Sequence, residues 1–164
     1  MNHWMDPLAE LATAEEFHFL LAREELRRSR TGEPLAIAIL DLDGLRAVNA
    51  HHGAPAGTAM LRSCAQTLRE TLRAVDDLAR TGPDEFSVLL HATDTESATI
   101  WADRFEDALE RACKDHPAAP VTCALGLADT GDAPTLLEVA ASARRRMEVV
   151  QMVRRLRRTR DRDS

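Results

Sequence analysis

Residues 34 to 42 read Pro-Leu-Ala-Ile-Ala-Ile-Leu-Asp-Leu, a nearly unbroken apolar run of strand length that ends among acids. Such a run needs cover on both faces, so it predicts a central strand with other elements packed above and below. Asp41 and Asp43 at its end do not suit that core and mark the first candidate functional position. Downstream, Asp77 to Thr81 and Glu85 to His91 flank Thr81-Gly82-Pro83-Asp84, which is the grammar of a hairpin. If the hairpin lies beside the first strand, Asp41, Asp43, Asp84 and Glu85 gather at one sheet edge. Carboxylates gathered in this way repel unless a cation lies between them, and oxygen-only ligands suit Mg²⁺ or a similar hard ion. Solvated strand ends are the alternative that spacing leaves open.

Helical spacing surrounds these strands. Leu8, Leu11, Phe17, Leu20, Leu21 and Leu26 predict an entry segment and a helix ending near Arg30-Thr31-Gly32. Leu45 to Val48 reads as a short helix, Gly53 to Gly57 as a breaker, and Thr58 to Val75 as a second helix. A helix from Thr95 to about Lys114, capped by Asp94 or Thr95, precedes a strand at Val121 to Ala128, and the last helix runs from Thr135 onward. The order α-β-α-α-β-β-α-β-α predicts an α+β layer architecture with a mostly antiparallel sheet, related to the split βαβ plan.

At 164 residues and 18.1 kDa the chain suits one domain, here expected over residues 1–150 with an Arg-rich extension or tail over 151–164. No apolar run approaches the roughly 20 residues that span a bilayer. The first ten residues lack a signal peptide's basic end and apolar stretch, so the expected location is cytoplasmic and no membrane contact is expected. Cys64, Cys113 and Cys123 are widely spaced and read as buried apolar side chains rather than a disulfide or zinc framework. Residues 1–140 carry 12 basic and 24 acidic side chains, whereas 141–164 carry 9 and 3. That acidic body, only 4% aromatic, offers no basic stacking face and argues against polymeric nucleic acid.

Several motifs, in order and at consistent spacing, resemble the GGDEF domains of bacterial diguanylate cyclases. They are Asp6-Pro7-Leu8 with Leu11 and Phe17, Pro34-Leu35 through Asp41-Leu42-Asp43, and Val48-Asn49 with Gly53 and Gly57. Arg80-Thr81-Gly82-Pro83-Asp84-Glu85-Phe86 and Val121-Thr122 with Gly126 complete the set, and the resemblance covers roughly residues 6 to 147. It implies a nucleotide-cyclase-like, ferredoxin-like palm with about five strands, and condensation of two GTP molecules into cyclic di-GMP by a dimer of such domains. By that resemblance Asp41, Asp84 and the Leu42 carbonyl would hold Mg²⁺ or Mn²⁺, with Asp84 and Glu85 as the catalytic acids. Asn49 and Thr58 would face the purine, and Gly44, Leu45, Arg46 and Gly82 the rest of the nucleotide. Arg73 and Asp76, with Arg80, match the family's inhibitory site for cyclic di-GMP, where arginine forks grip phosphate and guanine.

The departures from the pattern bear on activity. Thr58 stands where the family has an Asp that accepts from guanine, and Pro83 replaces a loop Gly, removing a backbone donor. In the last helix the phosphate-binding Lys and Arg positions become Glu148 and Met152. Charge-assisted contacts of this type are worth roughly 1.5 to 3 kcal/mol each, so losing two weakens triphosphate binding by orders of magnitude. Arg144 to Arg146, one turn earlier, are candidates to compensate. The leading expectation is a degenerate GGDEF protein that binds cyclic di-GMP or a protein partner. An active cyclic-dinucleotide synthase using GTP, or GTP and ATP, is the second reading, and a purely structural interaction module is the third. His51 and His52 read as surface residues and Trp101 as core. Met147, Val150, Val153 and Leu156 form a stripe suited to docking or a short homodimer seam.

Overall fold

The computed structural model describes residue 8 and residues 10–162, with side chains as far as Arg157. Asp6 and Pro7 lie outside the described residues. The elements are α1 (Ala14–Thr31), β1 (Leu35–Leu42), α2 (Leu45–His52), α3 (Ala54–Thr71), β2 (Asp77–Arg80), β3 (Glu85–His91), α4 (Thr95–Ala112), β4 (Cys123–Asp129) and α5 (Leu136–Arg162). The strands form one antiparallel sheet in the order β2-β3-β1-β4, which is the split βαβ plan with a helix added at each end. The sheet has four strands rather than about five. The segment before α1 reaches its β2 edge only at an isolated bridge, Ala12 to Ala79, and does not extend it.

Alternation along β1 explains the layers. Ala36, Ala38, Leu40 and Leu42 face α2, α3 and α4 in a core with Met60, Leu68, Trp101, Phe105 and Leu109. Leu35, Ile37 and Ile39 face the opposite way, toward α1 and α5, with Phe17, Leu21, Val139, Ala143 and Met147. The run is therefore buried on both sides, as its composition requires. Trp101 stacks on Phe105 with centroids 5.7 Å apart, and all three cysteines are buried and free.

Local chemistry sets the helix ends. Thr13 caps α1 through a reciprocal box with Glu16. Only Gly53, at φ 84°, breaks the chain between α2 and α3, not the whole stretch to Gly57. Pro55 sits in the first turn of α3, where its missing N–H has no helical partner to lose. That helix stops at Thr71, short of Val75, because the Asp76 carboxylate accepts the Arg73 N–H at 2.9 Å and folds the chain into a turn. The last helix crosses the sheet at Gly126. A Cβ there would lie 2.0 Å from the Ala143 carbonyl oxygen and 2.4 Å from the Met147 nitrogen, so only glycine permits this approach. Beyond the sheet the predicted stripe divides: Met147 is buried and Val150 partly so, whereas Val153 and Leu156 are exposed.

Candidate functional site

Strand register assembles the acidic edge. Asp41 pairs with Glu85 across β1 and β3, and the Leu42 N–H donates to the Asp84 carbonyl at 2.9 Å. Residues directly opposed in an antiparallel pair share a face, and odd-numbered β1 positions face α5. Asp41 and Glu85 therefore point toward the last helix.

The four acids fall into two kinds. Glu85 is nearly buried and receives both arms of Arg144, Nη1 to Oε2 at 2.6 Å and Nη2 to Oε1 at 2.8 Å, with the Thr81 hydroxyl donating at 2.6 Å. Burial pushes its ionisation up, but the Arg144 and Thr81 hydrogen bonds prevail and hold it below the ordinary glutamate value. Asp43 accepts from Arg154 Nη1 at 2.5 Å and from the Thr122 hydroxyl at 2.7 Å. Among the described residues no cation pairs with Asp41 or Asp84. Burial first, then Asp84, Glu85 and Asp43, raises Asp41 from 3.8 to about 6.

A half-buried pair of acids in which Asp41 resists ionising suits a hard divalent cation. Among the described residues no group of three or more His, Cys, Asp or Glu side chains has metal-holding geometry. Two carboxylates, with the Leu42 carbonyl that the family resemblance adds, would make a donor set that Mg²⁺ accepts when phosphate oxygens complete its shell. Gly44 precedes α2 in left-handed backbone with no side-chain cap, which leaves the first-turn N–H groups at Leu45 and Arg46 free of that competitor for an anion. Asn49, exposed on α2, lies against Gly57 beside the half-buried Thr58. Gly82 stays in the hairpin turn, where its N–H reaches the Glu85 carbonyl at 3.3 Å.

A second cluster lies at the far end of the hairpin. Arg73 forks Asp76, Nε to Oδ2 at 3.2 Å and Nη2 to Oδ1 at 3.1 Å, and also donates to the His91 carbonyl and to the Thr93 hydroxyl. Asp76 is 2% exposed and also accepts the His91 N–H, whereas Arg73 remains 53% exposed. The fork rims a pocket lined by Thr93, Ser97, Ile100, Trp101 and Arg104. Arg80 is not brought to it. It sits at the other end of β2 with Nη2 on the Pro83 carbonyl at 2.6 Å.

Residues 3–155 match the sequence profile of the family described as diguanylate cyclase, GGDEF domain. The chain belongs to the GGDEF family. This GGDEF domain is 36% identical over 125 residues to the diguanylate cyclase DgcP of Pseudomonas aeruginosa, covering 74% of this chain and 18% of that protein. It is 33% identical over 112 residues to the probable diguanylate cyclase DgcT of Escherichia coli, covering 68% of this chain and 24% of that one. The chain thus spans about a fifth to a quarter of these curated relatives. Among solved structures it resembles the GGDEF domain of Caulobacter crescentus DgcB in complex with c-di-GMP, with a TM-score of 0.79, 17% identity, and 87% and 86% of the two chains covered. The GGDEF domain of Pseudomonas aeruginosa TpbB (YfiN) gives 0.76, 25% identity, and 88% and 87% coverage.

Two contacts within this GGDEF domain escape sequence reasoning. Arg154 reaches Asp43 from 111 residues away, and its only advance signal was the basic charge of the last helix. His91 supplies both backbone groups to the Arg73–Asp76 fork, while its ring Nε2 lies 2.9 Å from Asp77 Oδ2 and Nδ1 lies 4.0 Å from Glu24 on α1. A lone histidine at a strand end gave no hint of that junction.

Proposed function

We propose that this GGDEF domain acts in cyclic di-GMP signalling as a receptor for the dinucleotide at Arg73 and Asp76, with little synthase activity at its acidic edge. The observation that carries this reading is the fork itself. Asp76 holds the guanidinium in place before any ligand arrives, yet half of the arginine stays open beside a pocket. Pre-ordering of this kind lowers the entropy lost on binding, and a guanidinium suits phosphate and guanine edges. The DgcB domain of the same fold was solved in complex with c-di-GMP, which supports the ligand class. At the other edge, Glu85 has both oxygens engaged, and Glu148 and Met152 supply no cation for a triphosphate. A dinucleotide receptor of this kind could also pass its state to a protein partner or a second copy.

Calorimetric titration of cyclic di-GMP into the wild type and Arg73→Ala tests the reading. Binding that falls by at least about 100-fold in the variant is expected, because a bidentate charged contact is lost. Unchanged affinity would remove the assignment. Incubation with GTP and Mg²⁺ or Mn²⁺ should yield little cyclic product, and robust product that disappears in Asp84→Ala would establish the second reading, an active synthase. The raised ionisation of Asp41 is the observation that favours that second reading, since it marks a place prepared for a cation.

A further inference from the structure

We propose that Arg144 is the phosphate-gripping cation of the acidic edge, and that Glu85 holds it in reserve until a magnesium-bound nucleoside triphosphate takes its place. The inference rests on reading the acidic edge as a nucleotide face, and it does not depend on what binds at Arg73.

Placement carries the argument. On helix α5, Arg146 is tied to Asp132 and the Leu127 carbonyl, and Arg145 donates to Ser142 on its own helix. Arg154 is fixed between Asp43 and the Cys123 carbonyl. Arg144 alone among these has its fork on the acid that pairs in register with Asp41. Its side chain is 45% exposed against 12% for Glu85, so it can turn outward while the acid stays. Residues four apart share a helix face, which puts Glu148 one turn beyond Arg144 on the same side. The guanidinium accordingly stands in the field of Glu85, Glu148 and Asp41, where a polyanion carrying its own divalent ion would compete for it.

The exchange is balanced in chemistry as well as in charge. Carboxylate and phosphate both accept two parallel N–H bonds from a guanidinium, so Arg144 loses no hydrogen bond when it changes partner. Glu85, released, keeps the Thr81 hydroxyl at 2.6 Å on Oε1 and has Oε2 free on the sheet face it shares with Asp41. One side chain thus suppresses the acid when the edge is empty and supplies the missing cation when it fills.

The test is calorimetric binding of a non-hydrolysable GTP analogue with Mg²⁺ to the wild type, Arg144→Gln, Arg144→Lys and Glu85→Gln, with cyclic di-GMP titrated in parallel. Arg144→Gln should weaken the analogue at least about tenfold, the loss of one charge-assisted contact, and Arg144→Lys should recover most of it as a point charge. Glu85→Gln should tighten binding several-fold, because the arginine is no longer held. Equal affinity in Arg144→Gln and the wild type would overturn the proposal. So would tighter binding in Arg144→Gln, which makes the arginine only a block, or no analogue binding by the wild type up to millimolar concentration. Cyclic di-GMP affinity unchanged across the set shows that the variants fold, while no cyclic di-GMP binding by the wild type would count against the receptor reading and leave the Arg144 result standing.

Discussion

Replacing Asp41 by Asn should stabilise the protein at neutral pH. The carboxyl ionises near 6 in the fold instead of 3.8, chiefly because burial removes water and because Asp84, Glu85 and Asp43 stand close by. Between those two values the folded chain binds more protons than the unfolded one, so stability falls as pH rises through this window. Above about 6 the full cost applies, and below 3.8 it vanishes. The shift corresponds to about 3 kcal/mol, which screening of a half-buried group reduces to about 1 kcal/mol. In a chain of this length that is a rise of about 2–4 °C in melting temperature. The assay is thermal unfolding of Asp41→Asn and wild type at pH 5, 6, 7 and 8 without divalent metal. The difference should be about half its full size at pH 5 and reach its plateau by pH 7 to 8. A variant that melts at or below the wild type at pH 8, or a difference that does not change with pH, would refute the crowding argument.

Gly126→Ala should cost at least about 3 kcal/mol in urea unfolding, because the added carbon meets the backbone of α5, which cannot give way locally. Gly57→Ala meets a softer obstacle, placing its Cβ 1.8 Å from Asn49 Oδ1. That side chain can swing aside, so stability should change by about 0.5 kcal/mol or less while affinity for a guanine nucleotide at the edge falls. Equilibrium unfolding and calorimetry on the same sample separate the two effects.

The central strand and the acidic hairpin were legible because each depends on local chemistry: an apolar run that tolerates no water, and a turn whose residues restrict the backbone. The GAPAG stretch misled because a proline breaks a helix interior but suits its first turn, and sequence alone does not say which turn Pro55 occupies. The family resemblance groups Arg80 with Arg73 and Asp76. An extended strand rises about 3.3 Å per residue, which carries Arg80 to the other end of the hairpin. The fork of Arg144 on Glu85 joins residues 59 positions apart and depends on how α5 is rotated over Gly126, a matter decided by packing.

The pairing of Asp41 with Glu85 has a further consequence for how such a site can be lost. Four residues, Thr81 to Asp84, join β2 to β3, and the N–H groups of Thr81 and Gly82 both close on the Glu85 carbonyl. Because neighbouring residues on a strand point to opposite sides, deleting Thr81, Gly82 or Pro83 while β1 and β3 keep their registry would leave Glu85 opposite Asp41 but would slip β2 by one residue against β3 or rebuild the turn that presents Asp84. The loop's length is therefore as much a determinant of the chemistry as its letters, and a lineage could silence this edge by a single-codon deletion at Thr81, Gly82 or Pro83 that leaves every carboxylate of the edge in the sequence.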